Sequence, residues 1–493
     1  MNNFSRGTAG LLAGPFGIGF ATGGITVTLA AFVGLLADDD SFAGVRLLET
    51  ALGLSSIIIG MSLYQLQPKG RRITRAAAMS MFVAAWVAFN TVAIASFSLS
   101  GELGPLIDVI FEAVSASTTT GFTTVEDPQQ LSFALRFLRV AMPWATGLGV
   151  LLVSMGVLPA AIAGAELLPD RPLRGRNKIV TTSWVALRNV LGLYALLTLC
   201  LAIAFSLAGM ELFDALTYAL TTASTGGMAN HTDSLAHFES EAIEWVAAAG
   251  MAAAGANLLV VWRAVKRRFD SVWRSTELRL YLSLLLAGFL AVRFGGSGLS
   301  ASDSAVAITS MLSTTGLRSA NWAAESEFTT AVLLVAAGFG AMSGSVGSGF
   351  RQARVSRVAL EVRRSLQNLL APHRTNIVRI DGVAVDERSL ELTYGYLWMH
   401  VFTLAGVSVL LFAPGFDIIA TLSFTLGLVS NVGVLVHGDQ VVQQVELSGW
   451  AKAVASFAML LGRLSIYPVL LTIAGFFRWV SRFKPRRAIG ARV

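Results

Sequence analysis

The chain has 493 residues, of which 54% are hydrophobic and only 14% charged, with a mean hydropathy of +0.65 and a formal net charge of +7. Soluble domains carry about 25% charged residues, so a soluble globular protein is excluded and a polytopic membrane protein is indicated. The single cysteine, Cys200, excludes a disulfide framework and a cysteine-based metal site.

Residues 10–37 and 43–66 are two long apolar runs joined by Asp38-Asp39-Asp40. The next loop, Pro68-Lys69-Gly70-Arg71-Arg72, is basic, so the acidic turn is expected outside and the basic loop in the cytoplasm. No basic stretch with a short apolar core and an Ala-x-Ala site precedes them, so no cleaved signal peptide is expected. No pore-like segment follows this pair, and residues 1–67 form a unit apart.

From there one pattern repeats four times: spanning helix, half-helix, polar loop, spanning helix. The first repeat takes residues 76–99, 105–117, 118–122 and 131–163. The second takes 184–208, 211–223, 224–228 and 240–262, and the third 278–296, 302–312, 313–317 and 327–350. The fourth takes 393–413, 416–429, 430–434 and 449–475. A 12-residue helix is about 18 Å long, whereas the hydrocarbon core is about 30 Å thick. Irregular backbone after a half-helix cannot face lipid, so each polar loop is expected to re-enter and line a cavity. Cys200, inside the apolar run of the second repeat, is expected to be a small core residue.

The expected fold is therefore all-α and polytopic: four fused helix–pore-loop–helix repeats around one pore plus an N-terminal two-helix pair, about ten transmembrane helices in all. The repeats take residues 68–165, 166–264, 265–370 and 392–493. A linker at 371–391 alternates about Asp381-Gly382, which signals a hairpin.

Charge is distributed unevenly. Loops beside the half-helices carry Glu102, Asp127, Asp233, Glu239, Glu325 and Asp439, with Arg318 the main basic residue there. The opposite loops carry Arg171, Arg174, Arg176 and Lys178, then Arg263, Lys266, Arg267 and Arg268, then Arg351, Arg354, Arg357, Arg363 and Arg364. The C-terminus adds Arg478, Arg482, Lys484, Arg486 and Arg487. Both termini are expected in the cytoplasm and the polar loops are expected to enter from outside. This accounts for the positive charge without nucleic acid. The basic clusters set topology and meet anionic lipid, or dock a cytoplasmic partner.

The four loops align on Gly121, Gly227, Gly316 and Gly433. Three residues earlier stand the hydroxyls Thr118, Ser224, Ser313 and Ser430; two earlier, Thr119, Thr225, Thr314 and Asn431; one earlier, Thr120, Gly226, Thr315 and Val432. One later, all are apolar: Phe122, Met228, Leu317 and Val434. Asp108, Asp214 and Asp303 stand thirteen residues before the glycine, and Asp417 three further out in the fourth repeat. Acids there are expected to cap the half-helices and complement their dipoles. Glycine admits backbone angles that turn successive carbonyls inward, and four rows of carbonyls can replace a cation's hydration shell. With no Asp or Glu in the loops, a monovalent cation suits them better than calcium. Polar loops that merely connect helices are the plain alternative, and four copies in register argue against it.

At these loops, TTTGF, STGGM, STTGL and SNVGV, the sequence resembles the Trk/Ktr/HKT superfamily of potassium transporters, and its length and N-terminal pair resemble the TrkH-type branch. The resemblance implies potassium uptake across a prokaryotic plasma (inner) membrane, with K+ as the transported ion and no cofactor bound by the chain. It also implies a homodimer embedded in lipid and served by a cytoplasmic, nucleotide-binding regulatory subunit of the TrkA type. The run Gly338-Phe339-Gly340-Ala341-Met342-Ser343-Gly344-Ser345-Val346-Gly347-Ser348-Gly349 resembles the superfamily's intramembrane gating loop. From its residues alone it is equally a stripe for close helix packing. Arg463 resembles the pore-facing arginine beneath the filter, and its alternative is to snorkel to the interface. Val434-Leu435 and Ser465 depart from the superfamily's pattern, which marks the fourth quarter as the odd one.

Two rivals follow. A secondary transporter coupling K+ to H+ or Na+ needs a midplane acid; Glu112 is the candidate, and it is equally a structural anchor behind the filter. An enzyme has no support, since His231, His237, His373, His400 and His437 show no metal-ligand spacing.

Overall fold

Helices long and apolar enough to cross a bilayer set the architecture of the computed structural model, together with shorter helices that stop partway. It describes residues 3–38, 42–66, 75–154, 183–266, 274–296, 298–320, 322, 326–371, 378–381, 383–412, 418–437, 440–442 and 447–481. Asp417, Asp439, Glu325, His373, the basic stretches 68–72, 171–178 and 267–268, and the C-terminus from 482 lie outside the described residues.

Helices α1 (Asn3–Ala37) and α2 (Ala43–Gln65) form the N-terminal pair. Their axes close through small residues: a Cβ on Gly24 would lie 2.5 Å from the Gly53 carbonyl oxygen, and one on Gly17 2.4 Å from that of Gly60. The first repeat is α3 (Arg75–Ser100), α4 (Leu106–Ser117) and α5 (Phe133–Ser154). The second is α6 (Ser183–Leu207), α7 (Leu212–Ala223), α8 (Glu241–Gly255) and α9 (Leu258–Val265). The third is α10 (Thr276–Phe294), α11 (Ala301–Ser313), α12 (Glu327–Phe339) and α13 (Gln352–Leu370). The fourth is α14 (Glu387–Phe412), α15 (Ile418–Ser430), α16 (Gly449–Leu464) and α17 (Ile466–Ser481). Among the described residues, five helices are long and apolar enough to span, or seven if each bent pair counts once.

A two-stranded hairpin, β1 (Arg379–Ile380) with β2 (Val383–Ala384), occupies the linker at the expected turn. A second, β3 (Leu435–His437) with β4 (Gln440–Val442), follows the fourth loop and has no forerunner in the sequence reading.

Two spans expected to be continuous are broken. Helices α8 and α9 meet at 112°, as do α16 and α17. At the first break Asn257 caps α9, its Oδ1 accepting the Leu259 N–H at 2.9 Å. At the second, Ser465 takes φ +66°. Apolar content hides such breaks, because both halves remain hydrophobic. Cys200 is exposed on α6 rather than in the core; a spanning helix is apolar on its outer face too, so composition does not tell the two faces apart.

The N-terminal pair is fastened to the first repeat by Arg46, only 1% exposed. Its guanidinium meets Asp38 at 2.9 Å, Glu49 at 2.6 Å and Glu102 at 3.4 Å, and donates to Ser132 Oγ at 2.6 Å. Asp38 also accepts the Phe133 N–H at the start of α5, at 2.6 Å. One cation thus holds carboxylates from the turn after α1, from α2 and from the loop after α3.

Candidate functional site: four loops closed into a ring

The half-helices α4, α7, α11 and α15 end alike. The N–H groups of Thr120, Gly226, Thr315 and Val432 donate to the carbonyls of Ser115, Thr221, Ser310 and Gly427, at 2.9, 2.7, 2.8 and 2.8 Å. The residue before each donor is left-handed: Thr119 at φ +54°, Thr225 at +51°, Thr314 at +62° and Asn431 at +57°. This is the helix stop that normally places glycine or asparagine in the left-handed position. Three quarters use threonine instead, a β-branched residue for which that conformation is strained by about 1–3 kcal/mol.

The loops then meet one another around a closed ring. A Cβ on Gly121 would lie 2.8 Å from Gly227 Cα, and one on Gly227 2.5 Å from the Thr315 carbonyl oxygen. One on Gly316 would lie 3.0 Å from the Gly433 nitrogen, and one on Gly433 2.4 Å from both the Thr120 oxygen and the Gly121 carbonyl carbon. The order is first, second, third, fourth and back to the first. Gly121, Gly227 and Gly316 have φ of +87°, +71° and +86°. Gly433 is not left-handed; there glycine is needed for space alone. The twelve loop residues at Thr118–Thr120, Ser224–Gly226, Ser313–Thr315 and Ser430–Val432 are all buried.

Side chains brace the ring from behind. Ser115 Oγ donates to the Phe122 carbonyl at 2.6 Å, and Ser117 Oγ to Asn90 Oδ1 at 2.8 Å. The hydroxyls of Thr118 and Thr120 pair at 2.7 Å, and those of Ser313 and Thr315 at 2.6 Å. Asn431 Nδ2 donates to Thr120 Oγ1 at 3.0 Å, joining the fourth quarter to the first.

Glu112 is fully buried on α4. It accepts the Thr124 N–H at 2.6 Å and the Thr123 hydroxyl, and pairs with Arg139 Nε on α5 at 3.4 Å. Arg139 Nη2 donates to Thr123 Oγ1 at 2.8 Å. A carboxylate so engaged anchors the strand leaving the first loop. Removing one member of a buried ion pair costs about 3–5 kcal/mol. Glu112→Gln is therefore expected to lower the thermal stability of the detergent-solubilised protein, without introducing or removing dependence on a proton gradient. Normal stability with altered proton dependence would favour the coupling role.

The aspartates of the half-helices occupy the third helical position rather than the cap itself. They complement the dipole from there and tie the half-helix start to other chain segments. Asp214 meets His231 Nε2 at 2.9 Å and Asn230 Nδ2 at 3.0 Å; Asp303 accepts from Ser319 Oγ at 2.6 Å; Asp108 pairs with Lys452 of α16. His231 also stacks on His237, centroids 3.8 Å apart. Burial pulls the Arg318 guanidinium below its ordinary value, with Asp233 acting in the opposite direction.

The Gly/Ser run separates α12 from α13 as a buried irregular loop. Gly340, Gly344 and Gly349 are left-handed, at φ +70°, +81° and +81°. Arg463, 2% exposed, donates through Nη1 to the Val346 carbonyl at 2.7 Å and to Ser348 Oγ at 3.0 Å. A snorkelling arginine reaches water, and this one does not. Its Nε and Nη2 have no partner among the described residues. A Cβ on Gly347 would lie 2.5 Å from the Ser313 carbonyl oxygen, so the loop is pressed against the third quarter of the ring.

Two residues that hold this loop escaped the sequence reading. Asn257, at the α8–α9 break, donates to the Ser343 carbonyl at 2.5 Å, and the Leu258 N–H reaches the Gly344 carbonyl at 3.2 Å. Glu277, in the first turn of α10, accepts the Ser343 N–H at 2.5 Å. The signal for Asn257 was a lone capping residue inside an apolar run; Glu277 had none, because its target is 66 residues away.

The family model described as "TrkH: Cation transport protein" matches residues 49–295 and 290–477. The chain is 26% identical over 438 residues to the Trk system potassium uptake protein TrkG of Escherichia coli (strain K12), covering 86% of this chain and 89% of that one. It is 27% identical over 384 residues to the Trk system potassium uptake protein TrkH of Halomonas elongata, covering 75% and 79%. The crystal structure of the potassium transporter TrkH from Vibrio parahaemolyticus superposes with a TM-score of 0.82 at 22% identity, over 95% of this chain and 99% of that one.

Proposed function

The chain belongs to the TrkH family of cation transport proteins, which are not enzymes, and from that premise we propose that it takes up potassium through the ring of four loops. The observation that carries this is the ring itself: four half-helices with one stop geometry, each loop's glycine set against the backbone of the next loop, and no carboxylate among the loop residues. Dehydrated K+ is held by backbone carbonyls of Thr118–Gly121, Ser224–Gly227, Ser313–Gly316 and Ser430–Gly433. The C-terminal, negative ends of the half-helices add to the attraction.

The loop Gly344–Gly349 acts as the gate, and Arg463 as its latch and as a positive charge opposing cations. Control from the cytoplasm has a short route. Thr276 donates its N–H to Asp381 of the linker hairpin at 2.7 Å, and the adjacent Glu277 grips the gate loop at Ser343. A TrkA-type subunit bound near the hairpin would act through these two hydrogen bonds. The relatives bear the name of the Trk potassium uptake system, and a homodimer in a prokaryotic inner membrane, with both termini and basic loops inside, suits the charge asymmetry. The repeat boundaries given above define the four quarters of this pore.

The test is cation flux into proteoliposomes containing the full chain, with K+, Rb+, Na+ and Li+ compared. Preference for K+ and Rb+ is expected, with no requirement for a proton gradient. Arg463→Ala is expected to raise K+ flux at constant protein, since about 1.5–3 kcal/mol is attached to each hydrogen bond made by a charged donor. Unchanged flux in Arg463→Ala would remove the latch.

A further inference from the structure

We propose that two of the side chains that stand two residues before the ring glycines, Thr314 and Asn431, carry the state of the gate to the filter as positioning residues. The proposal rests on the potassium-filter and gate assignments made above and concerns how the two are linked.

Thr314 is one of the strained left-handed threonines, at φ +62°. Its Oγ1 accepts the Ser348 N–H of the gate loop at 2.8 Å. The Ser348 hydroxyl in turn accepts from Arg463 Nη1 at 3.0 Å. Arg463 stands on α16, and the carbonyl one turn before it, Met459, accepts from Asn431 Nδ2 at 2.9 Å. Asn431 Nδ2 also reaches Thr120 Oγ1 at 3.0 Å. The third quarter, gate loop, latch arginine, fourth quarter and first quarter therefore stand in one series, joined by hydrogen bonds and one turn of α16. The packing is equally direct. A Cβ on Gly462 would lie 2.2 Å from the Val429 carbonyl oxygen and 2.8 Å from Asn431 Oδ1, so α16 cannot shift without moving the fourth loop. The second quarter is different, since Thr225 Oγ1 has no hydrogen-bond partner among the described residues.

A gate loop that withdraws takes the Ser348 N–H from Thr314. Thr314 then loses a restraint that helps hold a β-branched residue where it is strained. The ring relaxes at its third quarter, and the carbonyl spacing that distinguishes K+ from Na+ changes with it. Opening and ion preference are thereby one coupled equilibrium, and the fixed asymmetry of the four loops decides which quarters respond.

The experiment uses the full chain in proteoliposomes and reads Rb+ and Na+ influx. Thr314→Val keeps the branched shape and removes the acceptor. It is expected to raise Rb+ flux about fivefold, the effect of one hydrogen bond, and to raise the Na+/Rb+ ratio. Thr314→Ser, which restores the acceptor, is expected to move both back. Arg463→Ala is expected to add less flux in the Thr314→Val background than in the wild type, because both contacts restrain the same loop. Asn431→Thr, which installs the residue of the other quarters, is a second variant expected to shift the ratio in the same direction. Wild-type ratios in both variants, or a full additive response to Arg463→Ala, would overturn the coupling. Absence of any K+ or Rb+ preference in the wild type would instead overturn the filter assignment.

Discussion

Replacing Gly433 with alanine is expected to abolish K+-selective flux while the chain still inserts and folds. A Cβ there would lie 2.4 Å from the Gly121 carbonyl carbon and the Thr120 oxygen and 2.7 Å from the Phe122 nitrogen. Carbon atoms in contact ordinarily stand about 3.5–4.0 Å apart, and all three neighbours are backbone, so the first quarter must move by about 1 Å. A displacement of that size in a reacting or binding constellation costs about a hundredfold, and a loss of K+ flux on that scale is expected. Gly192→Ala is the control, because a Cβ there meets nothing within 4 Å. Wild-type flux and selectivity in Gly433→Ala would show that this contact does not shape the conducting path.

Shortening Gly344–Gly349 is expected to give the opposite result, a K+ flux raised tenfold or more. The loop is held by Arg463 at Val346 and Ser348, by Thr314 at Ser348, and by Leu258 at Gly344. The two neutral bonds contribute about 1 kcal/mol net each and the two from Arg463 about 1.5–3 kcal/mol each, so withdrawal of the loop has all four to overcome. A shorter segment keeps α12 and α13 connected and removes the contacts with Arg463. Flux in reconstituted vesicles indistinguishable from the full-length loop would sink the assignment of this segment as the gate.

The half-helices and their glycines were legible because they recur. A twelve-residue apolar run ending in hydroxyls and glycine is ambiguous once and informative four times. Membrane character was legible from composition, and the linker hairpin from Asp381-Gly382. What was not legible has a common cause. Breaks at Asn257 and Ser465 sit between two apolar halves, so hydropathy runs through them. The left-handed threonines defy the propensity that places glycine there; what holds Thr314 is the Ser348 N–H, 34 positions later. Gly433 looked like its three counterparts, yet it serves by leaving room rather than by its backbone angle. The fourth quarter stood out in the sequence by Asn431 and Val434, and the structure gives Asn431 a partner in the first quarter, 311 positions earlier.

That separation bears on how the protein is made. Every glycine contact around the ring joins different repeats, and the last glycine to emerge from the ribosome, Gly433, is the one that packs against the backbone of Thr120 and Gly121. Pairings of such long sequence separation form late. The first three quarters therefore enter the bilayer before the ring is closed. If the ring is the proposed filter, a nascent chain carries no finished aperture, and the membrane's ion gradients meet none until synthesis of the fourth quarter completes the circle.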